Sequence, residues 1–265
     1  MNKMNIICII QARTGSTRLP NKIMKKVVGK EVLIHVVDRV LKSNHIDKVI
    51  IATTTKKKDD KIAKLIKSHY KQTNNKHKVK TFRGNEEDVL ERYYLAAKEN
   101  NADIIIRITS DCPLIDPKII DKTIEIFLKN NKQAKINKYK HDYTSNVIGE
   151  RTYPRGLDVE VFSFKVLEFM YKNCKQKAER EHVTWHIVNN LKNFKTSKLR
   201  NYRDLSYHRW TLDEKDDFKL IKKVFEELYP TKKQQFDTTD ILSLFERQPK
   251  LLQINSHIEQ KKVKV

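Results

Sequence analysis

The chain has 265 residues, 38% of them hydrophobic and 33% charged, and a formal charge of +22; that apolar share is enough for a sizeable core and excludes wholesale disorder. Only 13 of its 55 basic residues are arginine, so the excess is lysine spread along the chain, and nucleic-acid recognition, which favours arginine forks, is not expected. The cysteines Cys8, Cys112 and Cys174 form no CxxC pair and no apolar run is long enough to span a bilayer, so neither a disulfide framework nor a membrane span is expected, and a reducing cytoplasm is the expected setting.

Met4 to Ile10 is a continuous β-branched run, too short for a signal-peptide core, and reads as a buried strand that stops at the polar, basic stretch Gln11 to Pro20. Val32, Val36, Val37, Val40 and Leu41 then recur at helical spacing. Lys48 to Thr53 is a second strand, and Ile62, Leu65 and Ile66 mark a surface helix over Asp59 to Tyr70 whose lysines form a solvated face. Lys78 to Phe82, Glu86 to Asn101 and Ala102 to Thr109 continue as strand, helix and strand, with Ile104, Ile105 and Ile106 suited to burial on both sheet faces.

Pro117 suits the first turn of a helix reaching about Lys129, and the polar residues from Asn130 to Lys140 read as a long loop. A turn at Tyr153 to Gly156 precedes a strand from Leu157 to Ser163. Helices are expected at Lys165 to Asn173 and Ala178 to Leu191, a last strand at Trp210 to Asp213, and further helices to about Phe245. The pattern predicts an α/β fold in which helices cover both faces of a mostly parallel sheet. One domain over residues 1–250 would carry an irregular substrate-side insertion at about 140–205, with a basic tail over 251–265.

Ligands of open α/β sheets sit beyond the carboxyl ends of the strands, so residues just after each strand carry the functional information. The first such loop holds Arg13, Gly15, Ser16, Thr17, Arg18 and Lys22, a donor-rich turn suited to a polyphosphate, although it is neither a P-loop nor a GxGxxG turn. An ordinary solvated loop is the alternative. Thr109 to Asp116 follows the most hydrophobic strand, and a carboxylate leaving a buried strand needs a positive partner. Magnesium suits Asp111, whereas Asp116, directly before Pro117, suits a helix cap.

Asp213 ends a second strand, so it and Asp111 can grip one ion from two sides; Glu214, Asp216 and Asp217 read as first-turn residues of the next helix. Alternation puts Asp158 and Glu160 on one face, beside Arg155, either towards a polyhydroxylated substrate or towards solvent. His182 and His186 have the spacing of a helical metal pair, but Val183 stands where HExxH has Glu and the sequence offers no third ligand; packing or substrate contact is the expectation.

Four segments taken together, Ile10 to Lys22, Arg83 to Arg92, Arg107 to Asp116 and Gly156 to Phe162, resemble the cytidylyltransferase-like proteins of the spore coat polysaccharide biosynthesis protein F type. These are relatives of the acylneuraminate and 3-deoxy-manno-octulosonate cytidylyltransferases, and the similarity runs from about residue 5 to about 220. The resemblance implies a Rossmann-like nucleotide-diphospho-sugar transferase fold. It also implies transfer of CMP from CTP to a sugar or sugar phosphate, with release of pyrophosphate, in surface polysaccharide or glycan synthesis.

By the family pattern, Gln11, Ala12, Gly15, Ser16, Thr53, Thr54 and Ser110 would approach the nucleotide, with Arg13, Arg18 and Lys22 as catalytic cations. Asp111 and Asp213 would hold Mg2+, and Arg155, Asp158 and Glu160 would meet the acceptor. A homodimer is left open. A glycosyltransferase using a nucleotide sugar is the rival reading, although such enzymes usually carry a DxD triplet and the nearest match is Asp158-Val159-Glu160. A basic, non-catalytic binding module is the second rival.

Overall fold

The computed structural model describes residues 3–131 and 141–261. Among them, seven strands build the central sheet: β1 (Ile6–Gln11), β2 (Lys48–Thr54), β3 (Val79–Gly84), β4 (Ile104–Thr109), β5 (Tyr143–Ser145), β6 (Glu160–Ser163) and β7 (Thr196–Lys198). Their spatial order is β3-β2-β1-β4-β6-β5-β7. All neighbours pair in parallel except β6, which runs antiparallel to both β4 and β5.

The continuous apolar run of β1 follows from its central place, because both of its faces are covered. Ile6, Cys8 and Ile10 enter one core, and Ile7 and Ile9 enter the other. The first core is closed by α1 (Val32–Val40), α2 (Asp60–Tyr70), α4 (Pro117–Asn131), α8 (Lys215–Lys232) and α9 (Thr238–Arg247). The second is closed by α3 (Val89–Glu99) and α5 (Phe164–Asn173). The sheet order reverses between β1 and β4, and it is beyond the carboxyl ends of strands at such a reversal that open α/β sheets bind their ligands.

Several expectations need correction. The stretch at 140–205 is not merely an irregular insertion, since it supplies β5, β6 and β7. Ladder pairing within 157–163 begins only at Glu160, because Leu157 and Val159 hydrogen-bond instead to the side chain of Asn146, at 2.7 and 2.9 Å. The single helix expected over 178–191 is two, α6 (Lys177–Glu181) and α7 (Trp185–Asn189), separated at Val183, whose φ of 28° breaks the helical path.

Trp210 to Asp213 is not a strand. Its amides bond to two different segments, Trp210 to the Arg155 carbonyl at 2.7 Å and Leu212 to the Asp111 carbonyl at 2.8 Å, so no continuous ladder forms. The close approach depends on Gly156, at φ 100°, where a Cβ would come within 2.5 Å of the Trp210 backbone. The loop expected at 130–140 begins after Asn131, because α4 runs that far; residues 132–140 lie outside the described residues.

Nor does a free tail start at 251. Leu251 is buried, and the buried Asn255 amide donates to the Arg209 carbonyl and to Asp217, both at 2.9 Å. No helix among the described residues is long and apolar enough to cross a membrane.

Candidate active site

The chain leaves β1 at Gln11 and turns into the basic loop, whose shape is set by a residue that sequence reasoning assigned only to a helix. Asp59, fully buried just before α2, accepts from the Thr14 amide at 2.8 Å, the Thr14 hydroxyl at 2.7 Å and the Thr54 hydroxyl at 2.5 Å. Burial opposes ionisation of Asp59, but the hydrogen bonds from Thr54 and Thr14 outweigh it and hold its pKa below the usual carboxylate value.

Thr53 and Thr54 are therefore corrected from nucleotide contacts to buried residues. Neither is exposed, and Thr54 spends its hydroxyl on Asp59. Ala12 is buried too, its amide on the Ala52 carbonyl at 3.0 Å. Gly15 is exposed, and a Cβ there would come 3.2 Å from the Lys58 ammonium, itself paired with Glu86 at 2.5 Å. The Ser16 hydroxyl accepts from the Leu19 amide at 3.4 Å. Arg13 is exposed and makes no hydrogen bond or ion pair among the described residues, which leaves its guanidinium available to an anion.

At the far end of this loop a short 3-10 turn, Lys22–Met24, aims Lys22 inward. Its ammonium donates to Asp111 at 2.7 Å and to Asp213 at 2.8 Å, so the structure brings together the two carboxylates and the cation that the sequence singled out. Arg18 reaches Asp213 at 3.0 Å and Glu214 at 3.3 Å. The two acid-bearing segments are tied through the Leu212 amide on the Asp111 carbonyl. Ser110 is buried beside them.

Burial pushes the Asp111 carboxyl up, but the Lys22 ammonium, its hydrogen bond and that of Thr109 at 2.5 Å more than reverse this, leaving a pKa of about 2. Burial lowers Lys22 in turn, and Asp111 and Asp213 overcome it, so the ammonium is held above its ordinary pKa and stays charged. Asp213 is braced from behind. Arg209 reaches its other oxygen at 3.2 Å, and Asp217 accepts from the Asp213 and Glu214 amides at 3.0 and 2.9 Å. Asp217, fully buried and also paired with Arg209 at 2.9 Å, is thus a positioning residue as well as a first-turn acid of α8.

The residues expected to meet an acceptor depart further from expectation. Asp158 and Glu160 do share a face, but Glu160 is buried, closely paired with Arg107 and hydrogen-bonded to the Tyr143 hydroxyl at 2.8 Å. Its partners saturate it, so its expected contact with substrate is withdrawn. Arg107 also reaches the Gln11 side chain at 3.3 Å, which links that residue to the buried pair. Asp158 is part exposed and held in a fork by Arg151 at 2.6 and 3.1 Å.

Arg155 is only partly buried, and burial together with Arg151 holds its pKa below the ordinary arginine value. It opens on a cavity of about 390 Å3 shared with Tyr207, His208 and Trp210. His182 and His186 do not meet as a metal pair: the His182 ring lies 6.0 Å from that of Trp185, and His186 turns to Glu179 at 2.7 Å.

A mostly parallel sheet with one antiparallel strand, a basic loop after its first strand and a pair of acids opposite define a Rossmann-like protein of the nucleotidyltransferase class. The comparisons narrow this. A family model described as cytidylyltransferase matches residues 7–263, and the chain belongs to that family; the match extends past residue 220, where the sequence resemblance stops.

The chain is 39% identical over 263 residues to a protein of Methanocaldococcus jannaschii described only as uncharacterized, covering 97% of each. To the spore coat polysaccharide biosynthesis protein SpsF of Bacillus subtilis it is 29% identical over 253 residues, 92% of this chain and 95% of the other. Among solved structures, a cytidylyltransferase from Leptospira borgpetersenii superposes with a TM-score of 0.84 at 33% identity, covering 97% of this chain and 100% of that one.

Proposed function

We propose that this protein transfers CMP from CTP to a sugar or sugar-phosphate acceptor, releasing pyrophosphate, in the making of a surface polysaccharide or other glycan. The observation that carries the reading is the convergence of Lys22, Asp111 and Asp213 on one point beneath the basic loop. Family membership supports the nucleotide, and the Bacillus relative's role in polysaccharide synthesis supports the kind of acceptor.

An acceptor oxygen attacks the α-phosphorus as the bond to the bridging oxygen breaks, and pyrophosphate leaves with the electron pair. Catalysis of this step is positioning and charge stabilisation. Arg13, exposed at the loop and unpaired among the described residues, would meet the triphosphate, and Arg18 and Lys22 would meet the negative charge that grows on the leaving group. The exposed Gly15 leaves the loop backbone open to close approach.

Asp111 and Asp213 fit a magnesium ion, since both are carboxylates that already meet a single cation. Asp111 and Asp213 would hold the ion, which would supply positive charge against the phosphate groups. Thr109, Arg209 and Asp217 hold the two carboxylates in position for it.

Pyrophosphate release measured with each nucleoside triphosphate, with and without magnesium, tests the reading. CTP-dependent release that Asp111→Asn lowers by about 100-fold or more, without loss of fold, is the expected result. Release of no pyrophosphate, with transfer from a nucleotide sugar instead, would establish the glycosyltransferase alternative.

A further inference from the structure

We propose that Cys174, Glu179 and His186 form a binding site for a thiophilic divalent cation, zinc, at the junction of α5, α6 and α7. The site lies apart from Asp111 and Asp213 and does not depend on the function proposed above. One sulfur, one carboxylate oxygen and one ring nitrogen from these residues lie within 4.8 Å of one another. A cysteine, a carboxylate and a histidine are all zinc ligands, and three of them with a water complete a tetrahedron.

The carboxylate is fixed before any metal arrives. Glu179 Oε2 accepts from the Lys175 and Gln176 amides, both at 3.0 Å, in the capping box that starts α6. That leaves Oε1 facing His186 Nδ1 at 2.7 Å. His186 reaches this position because the chain reverses at the buried Val183, whose positive φ separates α6 from α7. A β-branched residue with positive φ is costly and persists only where packing enforces it. A continuous helix would carry His186 away from Glu179, so the spacing of His182 and His186 pointed to the wrong partner.

The charges balance. A bound dication takes Cys174 as thiolate, and the displaced thiol proton goes to solvent. Thiolate and carboxylate together match one dication. A neighbouring cation, Arg180, is already engaged by Asp88 and by the carbonyls of Tyr171 at 3.0 Å and Cys174 at 3.4 Å. A cavity of about 460 Å3 bordered by Tyr171, Lys175 and Arg180 reaches Cys174 and gives a path in.

Such an ion would staple α6 and α7 to the end of α5. It would thereby steady Arg180 on Asp88, the residue whose side chain caps α3.

The test is titration of the full-length, chelator-stripped protein with zinc alone and with cobalt alone. One equivalent of cobalt should produce a thiolate-to-metal charge-transfer band, and one equivalent of zinc should raise the melting temperature. Cys174→Ser should abolish the band, and His186→Ala should weaken binding by about tenfold or more, beyond the smallest effect of disturbing a ligand's hydrogen-bond partner.

Cys112 lies 3.7 Å from Asp111, so Cys112→Ser and Asp111→Asn serve as controls and should leave band and affinity intact. Cobalt bound to the Asp111→Asn protein without the band, a band lost in either control, or Cys174→Ser in the Asp111→Asn background binding zinc as tightly as Asp111→Asn alone would overturn the proposal. Should Cys174→Ser fail to fold, His186→Gln decides: full parental affinity for zinc in that variant refutes the site, and weakened affinity supports it.

Discussion

The ammonium of Lys22 lies 2.7 Å from Asp111 and 2.8 Å from Asp213, and so offsets one of their two negative charges from inside the protein. A divalent cation gathered by the same two carboxylates must compete with it. Lys22→Met should therefore have two opposite effects. Turnover falls by about 100-fold to 1,000-fold, the usual cost of losing one oriented charge contact to a developing anion. Manganese binding without nucleotide becomes tighter, as read by electron paramagnetic resonance. Unchanged manganese affinity would show that Lys22 and the metal do not share a place.

Asp59 offers a way to disturb the basic loop without touching any group placed against the nucleotide. Its carboxylate holds the Thr14 amide and hydroxyl and the Thr54 hydroxyl while fully buried. Asp59→Asn replaces one acceptor oxygen by a donor, leaving a buried hydrogen bond unmade at a cost of roughly 1–3 kcal/mol. Steady-state kinetics should show a raised KM for the triphosphate with a smaller change in kcat. An effect confined to kcat would mean that the loop is held by other contacts.

Gly156 ties the Arg155 segment to the segment that ends at Asp213. At φ 100°, with the Trp210 backbone 2.5 Å from where a Cβ would stand, Gly156→Ala adds both strain and a clash with main chain. Strain of this kind costs about 1–3 kcal/mol before the clash is counted. Since Trp210 leads directly to Asp213, the variant should lose stability and turnover together. A melting temperature equal to that of the parent would rule out this account of the contact.

What the sequence made legible follows from which groups carry local signals. The strands β1, β2 and β4 are buried on both faces, so their composition alone announces them. Asp111 and Asp213 were legible as acids leaving apolar segments, although the segment before Asp213 proved to bond to two separate parts of the chain rather than to a strand. The break at Val183 was hidden because valine has no preference for positive φ; tertiary packing imposes it.

Glu160 was misplaced for a related reason. Alternation gives the face a side chain takes, but not its neighbour, and the neighbour directly across the ladder is Arg107. Asp59 stood out only as the start of a helix because its partners, Thr14 and Thr54, come from a loop and a strand. Only the fold brings the three together.

His208 provides a prediction about pH. Its ring is buried against Trp210 and Phe245, with centroids at 5.3 and 5.5 Å, and neither ring nitrogen has a hydrogen-bond partner among the described residues. Burial lowers its pKa from 6.5 to about 4, so the folded protein keeps the imidazole neutral where the unfolded chain takes up a proton. Above pH 6.5 neither state is protonated there, and stability is undiminished by this group. As pH falls from 6.5 to about 4 the unfolded state gains a proton that the native state refuses, and stability declines by at most roughly 3 kcal/mol. Below that range both states are protonated and the loss levels off. His208→Phe, which keeps an aromatic ring beside Trp210, should remove this component, so its melting temperature falls less than the parent's between neutral pH and pH 5. Equal falls in the two proteins would assign the acid sensitivity to other groups and leave His208 as packing alone.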